Sequence, residues 1–174
     1  MRKIMLTWDG PYCLDDIEKE IEHLGKSGGI YQIYGVHPIY GSNVLLYIGK
    51  AVQQTFSKRI KQESHWWDDS DADNVQIYTG RIFDKELYQD KNYNLDKDIG
   101  LAEQVLINTH LPAHNSSNIN TISRKEKILA EVSNIRVINW HRYRDLMPEV
   151  SGDILVDEDD VYADMYIIPQ NYKQ

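Results

Sequence analysis

Apolar and polar positions change period several times along this chain, and each change predicts an element. From Gly29 to Val36, and again from Val44 to Gly49, short apolar runs flank a stretch rich in Pro, Gly, Ser and Asn, which predicts two antiparallel strands joined by a long loop. A two-residue period puts Tyr31 and Ile33 on one face of the first strand and Ile30, Gln32 and Tyr34 on the other. In the second strand it puts Leu45 and Tyr47 together. Ahead of this hairpin, Lys3 to Trp8 predicts a strand ended by the turn Asp9-Gly10-Pro11. Ile17, Ile21 and Leu24 then predict a sheet-covering helix, capped by Asp15 or Asp16 and ended by Gly25, Gly28 and Gly29. Phe56 and Ile60 predict a helix from about Thr55, and Val75 to Ile82 a third strand. Asp84 to Asp98 reads as a loop or short helix. A wide apolar arc of Ile99, Ala102, Val105, Leu106 and Ile107 predicts a helix from about Lys97 to Thr109, closed by Leu111-Pro112. A polar loop to Asn118, a basic helical stretch to Ala130 and a strand-like run from Ile135 to Trp140 come next. The expected class is α+β, a small central antiparallel sheet of three or more strands flanked by helices.

Length and charge refine this picture. At 174 residues the chain suits one domain with appendages, read as 1–28 (a strand and helix packing on the core), 29–144 (the main domain) and 145–174 (an acidic tail). The formal charge of −8 argues at first against a polyanionic partner. Its distribution removes that objection, because residues 145–174 hold eight of the acids and one base, Lys173, leaving the remainder near neutral. Bases cluster there, with Lys50, Lys58, Arg59 and Lys61 after the second strand and Arg136, Arg142 and Arg144 grouped later. Cys13 is the single cysteine, so neither an internal disulfide nor a cysteine-built zinc site is expected. No apolar run approaches the ~20 residues of a membrane span, and no basic-then-apolar leader follows Met1, so a cytoplasmic protein is expected.

Chemistry enters at Glu103, a carboxylate inside the apolar arc of its helix, costly unless a metal ion or an arginine partner compensates it. Upstream stand Gly29-Ile30-Tyr31 and Tyr47-Ile48-Gly49, then Arg59 and His65, with Asn115 downstream. In these two tripeptides, and in the order Arg59, His65, Glu103, Asn115 after them, residues 29 to 118 resemble the GIY-YIG endonucleases. The loop between the tripeptides is longer than in the shortest members, and Arg59 comes a couple of residues late. The resemblance implies Tyr31 as a general base working as a phenolate, with Tyr47 supporting it or binding phosphate. It implies Arg59 as the phosphate-holding arginine, Glu103 as the single metal-ligating glutamate, His65 as a further site residue and Asn115 as the asparagine that braces the site. Lys50, next to the second tripeptide, is the candidate to help Tyr31 ionise and to meet the phosphate. One carboxylate with waters and substrate oxygens suits Mg²⁺, with Mn²⁺ as a substitute.

The expected function is therefore metal-dependent hydrolysis of DNA phosphodiesters, of restriction or repair type, with a homodimer as the route to double-strand cleavage. Arg142, Arg144, Trp66 and Trp67 are candidate DNA contacts. The alternative is a catalytically inactive module on the same fold that binds nucleic acid or protein. A third reading has the acidic tail occupy the phosphate groove and hold the nuclease in check.

Overall fold

Alternation of apolar residues builds most of the sheet. The computed structural model describes residues 1–20, 28–63, 74–83, 93–119 and 126–152. Its strands are β1 (Arg2–Tyr12), β2 (Gly29–His37), β3 (Gly41–Ala51), β4 (Gln76–Ile82), β5 (Ile135–His141) and β6 (Glu149–Ser151). Its helices are α1 (Leu14–Glu20), α2 (Phe56–Gln62), α3 (Leu95–His110) and α4 (Glu126–Ser133). The strands form one six-stranded sheet in the order β3-β2-β4-β1-β5-β6. The architecture is α+β as expected, but the sheet is mixed, because β5 runs parallel to β1 while the other pairs are antiparallel. A parallel neighbour needs a long crossover, and the chain through α3 and α4 lets β5 return beside β1 in the same direction.

Three local readings change. The Asp9-Gly10-Pro11 turn does not end β1, which continues to Tyr12 while its register against β4 shifts between Asp9 and Tyr12. Gly10, at φ 133°, absorbs the irregularity, so the residues that signal a turn instead bulge a strand. Leu45 and Tyr47 do not share a face: Tyr47 pairs with Ile33 and Leu45 with Tyr34, leaving Leu46 as the extra residue of a bulge. Leu45 accordingly packs with the α3-side cluster and Tyr47 with the α2-side one. The third change is β6, a strand inside the stretch read as tail, which docks through Val150 beside Val137. One buried valine among acidic neighbours is too short a pattern to announce a strand.

The sheet has apolar clusters on both faces. One contains Ile30, Tyr34, Ile48 and Trp8 with the α3 residues Ile99, Ala102, Val105 and Leu106. The other contains Tyr31, Ile33 and Ile77 with Ile17 of α1 and Phe56 and Ile60 of α2. Tyr31 and Tyr34 thus divide between the faces as the period required. Helix α3 begins at Asn94, whose side chain accepts from Lys97 N at 3.0 Å, and ends at Leu111 in the left-handed region at φ 48°. Asp98, buried on the same helix, is held by the Arg2 guanidinium at 2.5 Å, tying α3 to the start of β1. Among the described residues no helix is long and apolar enough to cross a membrane.

The basic residues in and just after β5 have partners within the fold. The Arg144 guanidinium lies over the Tyr34 ring at 3.9 Å and donates to Gln76 Oε1 at 2.5 Å, while Arg142 donates to the Gly10 carbonyl at 2.7 Å. Arg136 pairs with Glu149 at 3.0 Å. Trp66 and Trp67 lie outside the described residues, as do 153–174 of the acidic tail.

Candidate active site

The site is assembled around the β2–β3 pair. Tyr31 and Gly49 are register partners, and the absent Cβ of Gly49 leaves the space that two phenols use. An added Cβ there would stand 2.5 Å from the Tyr31 hydroxyl and 2.5 Å from the Tyr47 ring. The Tyr31 and Tyr47 rings lie 5.9 Å apart, tilted by 39°, and Phe56 meets Tyr31 edge-on. Tyr31 is fully buried, and its hydroxyl has no well-aligned hydrogen-bond partner among the described residues. Tyr47 is partly exposed.

Helix α2 supplies the guanidinium. Thr55 caps it by accepting from Lys58 N at 3.2 Å, and Phe56 and Ile60 anchor its buried side. Arg59 then emerges beside the phenols, bonded to Glu63 at 2.5 Å and to Gln62 Oε1 at 3.2 Å. From α3, Glu103 reaches Lys50 Nζ at 2.7 Å. Arg59, Glu63, Glu103 and the two tyrosines lie within electrostatic reach of one another. Residues from β2, β3, α2 and α3 therefore converge at one end of edge strand β3.

Asn115 fixes that strand. Its side-chain oxygen accepts from Ile48 N and its amide donates to Ile48 O, both at 2.9 Å and both buried. Ala113 N and His114 N donate to Leu45 O and Leu46 O, so the loop after α3 pairs with the free edge of β3, and Asn115 completes that pairing with a side chain. The residue clamped is the one between Tyr47 and Gly49.

Electrostatics sets the resting protonation. Burial pushes the Tyr31 phenol far above its ordinary range; Tyr47, Glu63 and Glu103 add to that, and Arg59 opposes it. Burial likewise raises Tyr47, with Glu63 and Glu103 adding and Arg59 and the Tyr31 hydroxyl pulling back. Glu103 is raised by burial, against the pull of Lys50 and Arg59. Because folded Glu103 holds its proton more tightly than the unfolded chain does, stability falls as pH rises from the ordinary carboxylate range through its raised value. Glu103→Gln is thus expected to be more stable than the parent by about 1 kcal/mol at pH 8. Lys50, whose side chain is 40% exposed, can solvate its freed ammonium. Denaturant unfolding at stepped pH should show this difference closing as pH falls to the ordinary carboxylate range. A variant less stable at every pH would show that the Lys50 pair outweighs desolvation.

Tyr31, Tyr47, Lys50, Arg59, Glu103 and Asn115 are thus brought together, while His65 lies outside the described residues. Sequence reasoning missed Glu63, which is 6% exposed and stands one helical turn after Arg59. Its i,i+4 spacing from the arginine was the available signal. Among the described residues no three His, Cys, Asp or Glu side chains group as a metal cage. A metal here would be held by Glu103 with waters and substrate oxygens, a donor set that suits Mg²⁺. Comparison with protein-family models, with curated proteins and with solved structures finds no match.

Proposed function

We propose that this protein is a metal-dependent endonuclease that hydrolyses DNA phosphodiester bonds. The observation that carries the reading is the buried Tyr31 hydroxyl set beside Tyr47, an arginine and a carboxylate. Two phenols held above their ordinary range by burial, gathered with a guanidinium and carboxylates, are the kind of cluster that proton-transfer sites use. In this reading Arg59 holds a non-bridging phosphate oxygen with its planar fork, where a lysine would offer only a point charge. Tyr47, the partly exposed phenol, is the one open to the attacking water, and Tyr31 behind it accepts or relays the proton. Water oxygen bonds to phosphorus as the bond to the leaving sugar oxygen breaks; the phenol pair takes the water proton once one of its members has ionised to a phenolate, and the leaving oxygen takes a proton from solvent. Bound at Glu103, Mg²⁺ would neutralise charge developing on the phosphate and the leaving oxygen. Lys50, whose side chain is 40% exposed, would offer the phosphate a second cation.

The test is cleavage of supercoiled plasmid and of defined duplexes with Mg²⁺, Mn²⁺ or EDTA. Nicked or linear product is expected with either metal and none with EDTA, and Glu103→Ala is expected to lower the rate about 100-fold. DNA retained by parent and variant alike, with no product from either, would support the binding-module reading. Equal cleavage by both would remove Glu103 from the chemistry.

A further inference from the structure

Resting on the nuclease reading, a second carboxylate at the site takes a role that the resemblance does not assign. Glu63 is buried, and its carboxylate meets Arg59 at 2.5 Å. Its position is fixed by the end of α2, where its backbone N–H bonds to the Ile60 and Lys61 carbonyls. The Arg59 side chain keeps 28% of its surface exposed, so it has a covered edge on Glu63 and an accessible remainder. Lys50 is paired in the same way with Glu103. Lys50 and Arg59 are therefore both paired with carboxylates before substrate arrives.

We propose that Glu63 is a positioning residue that also competes with the scissile phosphate: it holds Arg59 against the phenol pair and yields part of the guanidinium when a phosphodiester enters. An arginine has five N–H donors in a rigid fork, so one edge can stay on a buried carboxylate while another takes a phosphate oxygen. The arrangement trades affinity for orientation, because a phosphate must enter a field that Glu63 partly cancels. The same charge opposes ionisation of both tyrosines. Among the described residues, the charged and titratable groups around the phenols are Tyr31 and Tyr47 themselves from β2 and β3, Arg59 and Glu63 from α2, Glu103 from α3 with its Lys50 partner, and, beyond the Phe56 ring, Arg81 from β4. Phosphate binding that draws Arg59 away from Glu63 would weaken the arginine's screening, so retention of the Glu63 contact during turnover matters to the base as well as to the phosphate.

The experiment compares Glu63→Gln, Arg59→Ala and the double variant, measuring duplex DNA binding in Ca²⁺ and cleavage in Mg²⁺ across pH. Glutamine keeps the side chain's shape and removes its charge. Glu63→Gln is expected to bind DNA about three- to tenfold more tightly and to move the acid limb of its pH–rate profile to lower pH; the affinity gain should vanish in the Arg59→Ala background. A merely structural Glu63 would lower the rate at every pH and leave the limb in place. An unmoved limb, or an affinity gain that survives loss of Arg59, would overturn the proposal. A parent protein that neither binds nor cuts DNA would remove the nuclease reading and this inference together, whereas a cutting parent with an unshifted variant removes the inference alone.

Discussion

Asn115→Asp is expected to destabilise the fold by about 3 kcal/mol at pH 8. Aspartate retains an oxygen for Ile48 N but turns an ionised oxygen towards Ile48 O, where the asparagine amide donates at 2.9 Å. A buried acceptor facing another acceptor loses its hydrogen bond and keeps the desolvation cost, and an unpaired buried charge adds to it. Asn115→Ala should cost somewhat less, about 2 kcal/mol, since it leaves two backbone groups unpaired without adding charge. The two variants differ in pH response. Lowering pH protonates the aspartate, returns a donor, and should recover part of its loss, while the alanine variant should show no such recovery. Denaturant unfolding at pH 8 and pH 5 reads both. Losses under about 0.5 kcal/mol would mean that Asn115 only shapes a turn, and that the free edge of β3 is secured by Ala113 and His114.

Gly49→Ala should damage stability and chemistry together. The new methyl would stand 2.5 Å from both the Tyr31 hydroxyl and the Tyr47 ring, closer than carbon tolerates, and Tyr31 is fully buried with Phe56 against it. Neither phenol can yield cheaply, so about 3 kcal/mol of destabilisation is expected, the upper range for overpacking a well-filled site. Cleavage should fall at least as far as with Glu103→Ala, because the phenol pair would be forced apart. Adding Tyr31→Phe should recover little of the lost stability and no activity, because phenylalanine keeps the ring carbon Cζ that would stand 2.6 Å from the new methyl. A Gly49→Ala protein as stable and active as its parent would show that the phenols do not need this space.

Several site elements were legible because their signals are local. The two-residue period divided Tyr31 from Tyr34, and their separate clusters match that division. The 3.6-residue arc set Glu103 among apolar neighbours, and it is 9% exposed. The start of α2 near Thr55 was readable from the spacing of Phe56 and Ile60, and the end of α3 from Leu111-Pro112. Pairing partners were not readable in this way. Lys50 was expected to help a phenol but bonds to Glu103, 53 positions away, because β3 and α3 meet only in the folded chain. Arg144, a candidate DNA contact, packs on Tyr34 and Gln76, and nothing local indicates which distant ring covers a guanidinium. Glu63 was legible as a neighbour of Arg59 and illegible as a member of the site, because its burial depends on the sheet beside α2.

The amino-acid order by itself determined the periodic elements, the face most side chains take, and the set of phenol, guanidinium, carboxylate and amide groups on them. It could do so because propensity, alternation and capping act over a few neighbouring residues. Tertiary structure decided that β5 runs parallel to β1, that a bulge at Leu46 puts Leu45 and Tyr47 on opposite faces, and that Lys50 and Arg59 rest on carboxylates. Those outcomes arise from contacts between distant segments, where burial strengthens charge interactions and one extra residue in a strand reverses the face of everything beyond it.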